Sequence, residues 1–219
     1  MIFPEPRFSP LGDGAVTITL GDEMSQMMSD NVMAVAHAIE SRMNRVEVVP
    51  SYAAVTVFFD HPSSKYAEIV TQLEKLVAGS AAVGAESPTS ASKLVRIPVR
   101  YDGEDLDDVA GRANMTRESV IDLHSSREYR VYMLGFAPGF AYLGDLDERL
   151  ALPRRDSPRK RVPAGSVAIA ENQTAVYPSS TAGGWHLIGR TGATMFDIAR
   201  EPPSLLAPGD RVRFERVDE

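Results

Sequence analysis

Gly135-Phe136-Ala137-Pro138-Gly139-Phe140-Ala141-Tyr142-Leu143-Gly144 opens the stretch that decides the fold, residues 132–191. It continues through Leu152-Pro153-Arg154-Arg155 and Ser157-Pro158-Arg159-Lys160-Arg161-Val162-Pro163-Ala164-Gly165-Ser166. It closes with Asn172-Gln173-Thr174, Tyr177-Pro178, Gly183-Gly184-Trp185 and Ile188-Gly189-Arg190-Thr191. Glycine and proline fall between short apolar runs, which suits short, sharply turned strands with loops between them and not long helices. Val167–Ala170, Thr174–Tyr177 and His186–Ile188 read as three such strands. Tyr129–Leu134 leads in, and Pro208-Gly209-Asp210 turns into a last strand, Val212–Val217. Many short strands at regular spacing predict a closed or nearly closed barrel.

Working outward, the first half has a different grammar. Val16, Ile18 and Leu20 alternate with threonines and read as a half-buried strand after a proline-rich lead and the Leu11-Gly12-Asp13-Gly14 turn. Met28, Val32, Val35, Ile39 and Met43 recur at helical steps within residues 25–43, predicting an amphipathic helix. Val46–Val49 and Ala53–Phe59 are strand-like. A second helix, with Ser63 or Ser64 as candidate caps, carries Tyr66, Ile69, Val70, Leu73, Leu76 and Val77 on one face. One further strand would complete a split βαβ pattern of ferredoxin-like type. Residues 79–92, rich in Ala, Ser and Gly, read as a connector. Leu94–Val99 is a strand that either closes the first domain or opens the second. The expected class is α+β, with a ferredoxin-like βαββαβ domain over residues 1–85 and a β-barrel domain over residues 86–219.

Composition narrows the function. The 219 residues include no cysteine, which excludes disulfides and thiolate chemistry. No apolar run reaches the ~18 residues of a membrane helix, and the start lacks a secretion signal, so a cytoplasmic location is expected. A net charge of −7 argues against general nucleic-acid binding. There is no G-x-x-x-x-G-K-[ST] loop, and His37, His61, His124 and His186 show no metal-ligand spacing, so no metal site is predicted.

Candidate chemistry gathers around the organising stretch. His124, near a helix end, suits proton transfer, or else caps the helix through its carbonyls. Arg149, Arg154, Arg155, Arg159, Lys160 and Arg161 form a basic run, either an anion-binding strip or a solvated face. The Pro163-Ala164-Gly165-Ser166 turn either offers backbone N–H groups to an anion or is a tight barrel corner. Gln173, Tyr177 and Arg190 are polar groups in strand-like surroundings, where a ligand can partner them. Trp185 beside paired glycines is either a wall for a flat ligand or a core residue.

These motifs, in this order, resemble the KipI / allophanate hydrolase subunit 1 family. Ala182 stands where that family usually has proline before the paired glycines. The resemblance implies a ferredoxin-like domain followed by a cyclophilin-like barrel. It also implies a non-autonomous subunit of a 5-oxoprolinase, which converts 5-oxo-L-proline to L-glutamate with ATP. The implied partners are a KipA-like (allophanate hydrolase subunit 2-like) protein and a LamB-like protein, with ATP bound by or shared with a partner. Other family members are described as inhibitors of a sporulation histidine kinase, and related domains occur in urea amidolyases. On this reading Arg161 and Arg190 bind a small carboxylate or amide substrate with Pro163 and Tyr177 nearby. The Gly165-Ser166 backbone meets an oxyanion, and His124 and Gln173 handle protons or orientation. The barrel's mouth is then expected to gather all of these groups.

Overall fold

In the computed structural model, residues 1–59, 66–82 and 92–218 are described. The chain divides into two compact units, Met1–Ala91 and Ser92–Glu219. The expected boundary at residues 85–86, the candidate caps Ser63 and Ser64, His61 and most of the proposed connector lie outside the described residues.

The first unit contains strands β1 (Ile2–Pro10) and β2 (Ala15–Gly21), helix α1 (Gln26–Glu40), strands β3 (Val46–Pro50) and β4 (Ala54–Phe59), and helix α2 (Tyr66–Ala82). Ser25 caps α1 by accepting the Met28 N–H through its hydroxyl at 3.1 Å. The helix buries Met28, Val32, Val35, Ala36 and Ile39, at the predicted spacing, with Val16, Ile18 and Leu20 of β2 and Val55, Val57 and Phe59 of β4. The sheet order is β1-β2-β4-β3. The α+β class holds, but the element order differs from βαββαβ. The outer strand beside β2 comes from the N-terminal lead and not from the chain after α2. Prolines disguised it. Pro4, Pro6 and Pro10 cannot donate to a ladder, yet β1 pairs with β2 alone, and its register shifts between Ile2 and Arg7, where Pro4 and Pro6 fall.

The second unit runs through β5 (Leu94–Val99), α3 (Leu106–Arg112), α4 (Arg117–Ser125), β6 (Glu128–Leu134), β7 (Ala141–Gly144), a short 3-10 turn (Glu148–Leu150), β8 (Arg159–Val162), β9 (Ser166–Ala170), β10 (Gln173–Val176), β11 (Thr181–Gly183), β12 (His186–Arg190) and β13 (Arg211–Arg216). Seven strands form one sheet in the order β12-β9-β10-β7-β6-β13-β5. The strand left open in the sequence, β5, belongs here, parallel to β13. The two ends of the sheet meet. Arg100 and Arg190 exchange backbone hydrogen bonds of 2.9 and 2.8 Å, and the Gly103 N–H donates to the Ile188 carbonyl at 3.2 Å. Gly189 permits this approach, since a methyl group there would lie 2.7 Å from the Arg100 carbonyl oxygen. The result is a nearly closed barrel filled by Ile97, Val131, Leu143, Val167, Ile169, Ile188 and Phe214. The pair β8 and β11 forms a separate two-stranded ribbon. No described helix is long and apolar enough to cross a membrane.

Candidate functional site

Strand alternation sorts the predicted residues onto two faces of the sheet. Leu143, Val167, Ile169, Val176 and Ile188 point into the barrel. Ala168, Ala170, Ala175, Tyr177 and Leu187 belong to a second cluster on the outer face, with Phe140, Val162 and Trp185. Three alanines leave room there for rings. Phe140 packs edge-on against Tyr142, Tyr177 and Trp185, with centroids 4.9, 5.4 and 5.8 Å away. The β8–β11 ribbon covers this face. Val162 joins the aromatic cluster, and a side chain on Gly183 would collide with the Tyr177 hydroxyl. By the same alternation Ser166 and Gln173 share the outer face. They lie at opposite ends of it, since β9 and β10 pair Gln173 with Ala170 and bring Tyr177 to Ser166.

His124, on α4, is on the other side, fully buried against the barrel's inner face. The Tyr101 hydroxyl lies 2.7 Å from Nδ1, and Nε2 lies 2.8 Å from the Thr174 hydroxyl oxygen. That hydroxyl donates to the Ala168 carbonyl at 3.0 Å, so Nε2 carries the hydrogen and Tyr101 donates to Nδ1. Phe214 stacks on the ring at 4.6 Å. Burial pushes the pKa of His124 down to about 3 and raises that of Tyr101, so the relay holds a neutral imidazole. The expectation that His124 handles protons or orientation at a substrate is therefore corrected: both ring nitrogens are engaged within the core and the residue is fully buried. It is a core residue that ties α4 to the barrel. Gln173 is likewise buried and engaged within the fold.

The Pro163–Ser166 turn is a barrel corner. The Gly165 N–H donates to the Tyr177 carbonyl at 2.8 Å and the Ser166 N–H to the Pro163 carbonyl at 3.3 Å, so neither is open to an oxyanion. Gly165 has φ of +80°, and a side chain there would strike the Thr191 carbonyl. The same spent donors fit a nucleotide poorly, and among the described residues no group of three or more His, Asp or Glu is placed to hold a metal ion. Arg190 is half a staple across the barrel seam: its Nη2 lies 2.6 Å from Asp102, which also takes Arg100 Nε at 2.7 Å.

The basic run divides into scaffold and surface. Arg155 and Arg159 both bind Asp105 Oδ1, at 2.7 and 2.8 Å, and the Leu187 N–H donates to Oδ2 at 2.7 Å. Burial alone would raise the Asp105 pKa. Hydrogen bonds from Arg159 and Leu187, with the charges of Arg159 and Arg155, bring it below the usual carboxylate value. Arg149 pairs with Asp147 at 2.8 Å and Arg154 with Glu171 at 3.5 Å. Arg161 is different. It projects from the ribbon beside Val162, its Nε donates to the Ser180 hydroxyl at 2.9 Å, and among the described residues it has no carboxylate partner.

Of the predicted groups, His124 lies buried against the inner face and Gln173 at one end of the outer face, while β12 sets Arg190 opposite Ser166 at the other end, beside the Pro163–Ser166 corner. What the chain presents is an aromatic, alanine-floored face roofed by a ribbon, with one guanidinium at its surface that no described carboxylate pairs. A guanidinium can hold and orient a carboxylate through paired N–H donors but does not shuttle protons near neutrality. Asp105 is a functional position that the sequence does not single out. Its arginine partners lie at least fifty residues away, and no local signal announces them.

Against known proteins, the family model "Carboxyltransferase domain, subdomain C and D" matches residues 6–206. The B subunit of 5-oxoprolinase from Bacillus subtilis is 42% identical over 224 residues, covering 97% of this chain and 93% of that protein. The crystal structure of TTHA0988 superposes with a TM-score of 0.81 at 37% identity, covering 94% of this chain but only 40% of the longer one. The urea amidolyase of K. lactis shares the fold, with a TM-score of 0.76 at 18% identity over 99% of this chain and 15% of its own.

Proposed function

Because the chain belongs to the family of carboxyltransferase-domain subdomains C and D, we propose that it is the B subunit of an ATP-dependent 5-oxoprolinase that works with a KipA-like companion. The observation that carries this reading is the 42% identity across nearly the full length of a relative so named, joined by two further relatives of that name. A converged catalytic set within this chain is not what carries it. In the reaction two waters are consumed: one is added across the lactam C–N bond of 5-oxo-L-proline, giving L-glutamate, and the other accompanies the splitting of ATP to ADP and phosphate. The lactam carbonyl is a poor electrophile, and its activation falls to the companion subunits. This chain contributes binding: Arg161 receives the substrate carboxylate through paired N–H donors.

Reconstitution tests the reading. The purified chain, mixed with KipA-like and LamB-like proteins, is expected to release glutamate and hydrolyse ATP only when 5-oxoproline is present. Allophanate and urea in the same assay are expected to give no turnover. Arg161→Ala should raise KM for 5-oxoproline roughly 30-fold, the loss of about 2 kcal/mol of charge-assisted binding. The melting temperature should not move, because Arg161 is exposed. A complete set of subunits that hydrolyses no ATP in response to 5-oxoproline removes the assignment.

A further inference from the structure

Two apolar side chains of the second unit stand in solvent on well-built loops. Phe136 is 62% exposed and adopts φ of +68°, a left-handed conformation that bulky residues avoid. Its ring is held edge-on to Phe140 at 5.2 Å, so it stands at the rim of the aromatic face. Ile198 is 89% exposed. Its loop is fixed by Arg200, which donates to the carbonyls of Thr194, Met195 and Pro203, and by the Asp197 N–H, which donates to Pro203 at 2.9 Å. The two loops touch: a methyl group on Gly139 would lie 2.7 Å from Phe196 Cβ.

A fold that strains one hydrophobe into solvent and braces another there has preorganised both. Rigid apolar anchors lose little freedom on association, and such residues dominate protein interfaces. We infer that Phe136 and Ile198 are the anchors by which this chain docks on its KipA-like companion, an inference that rests on the hydrolase reading proposed for the chain. In TTHA0988 the same fold makes up 40% of a longer chain, so a larger stretch of polypeptide is covalently tethered to it there. On this inference the companion is the untethered counterpart of that remainder, and it takes up both side chains.

Titration of the purified chain against the purified KipA-like protein, by calorimetry, tests this. Ile198→Asp should weaken association at least 30-fold, whereas Ile198→Leu should leave it within threefold. Phe136→Gly should weaken association about tenfold while the melting temperature of the isolated chain stays the same or rises, because glycine relieves the positive φ. A residue with only a structural role would lower both. Wild-type affinity in Ile198→Asp and Phe136→Gly overturns the inference and leaves the hydrolase reading standing. No association of the wild-type chain overturns both. Association that is lost as inferred, from a complex that turns over no 5-oxoproline, upholds the surface and removes the reading. If the chain alone is a dimer that Ile198→Asp dissociates, the occupant is a second copy and the inference is wrong.

Discussion

His124 shows how completely surroundings set the chemistry of a side chain. Its position near a helix end was legible in the sequence. Its burial was not, because Tyr101, Thr174 and Phe214 reach it from distant segments of the chain. The consequence is a pH dependence with a definite sign. The unfolded chain takes up a proton at this histidine near its ordinary value of about 6.5, while the folded chain refuses it down to about 3. Stability from this group is therefore present above 6.5 and is lost as pH falls from there towards 3, at about 1.4 kcal/mol per unit. Urea denaturation at pH 7 and pH 5 should show the wild type losing roughly 2 kcal/mol more than His124→Gln over that interval. Equal losses in the two proteins would place the imidazole in contact with water. Arg161 illustrates the reverse case. It was one member of a basic run, and only the partners of the other arginines, most of them remote in sequence, single it out.

At the scale of elements, one carboxylate joins three segments that are distant in sequence. Asp105 precedes α3, Arg155 and Arg159 come from the approach to β8 and its first residue, and Leu187 lies in β12. Removing the charge leaves two partly buried guanidiniums facing an amide. Breaking such a pair costs about 3 kcal/mol. Asp105→Asn is thus expected to lose about that much in urea denaturation. Glu104→Gln, an exposed neighbour touching Arg159 at 3.2 Å, should change stability by less than about 0.5 kcal/mol. Comparable losses at the two positions would mean that the network is held by general charge and not by the buried carboxylate. The elements themselves were largely legible, since periodicity and turn residues report local geometry. The exceptions are the short strands β7, β8 and β11, unmarked within the Gly/Pro-rich stretch, and β1. A strand paired along one edge tolerates prolines that a central strand does not, so sequence marked residues 2–10 as a lead while the ladder with β2 makes them the outer strand. Pairing partners are non-local, and periodicity carries no record of them.

Over the whole molecule, each unit fills its own core. Val32, Ile39, Val57 and Leu73 belong to the first, and Leu143, Ile169, Ile188 and Phe214 to the second. Two optical signals separate these cores. The sole tryptophan, Trp185, is packed against Phe140 and reports the second unit alone. The helices α1 and α2, fifteen and seventeen residues long, outweigh α3 and α4 at seven and nine, so far-UV dichroism reports mainly the first unit. Ile39→Ala removes a fully buried side chain from the first core and should cost about 3 kcal/mol there. The dichroism midpoint in urea should fall accordingly, while the Trp185 fluorescence midpoint stays at its wild-type position. Two domains with separate cores need not unfold together, and a mutation in one then leaves the other's equilibrium alone. If the fluorescence midpoint follows the dichroism, unfolding is a single event across both cores, and a change in the first unit reaches the aromatic face, Phe136 and Arg161 through stability itself.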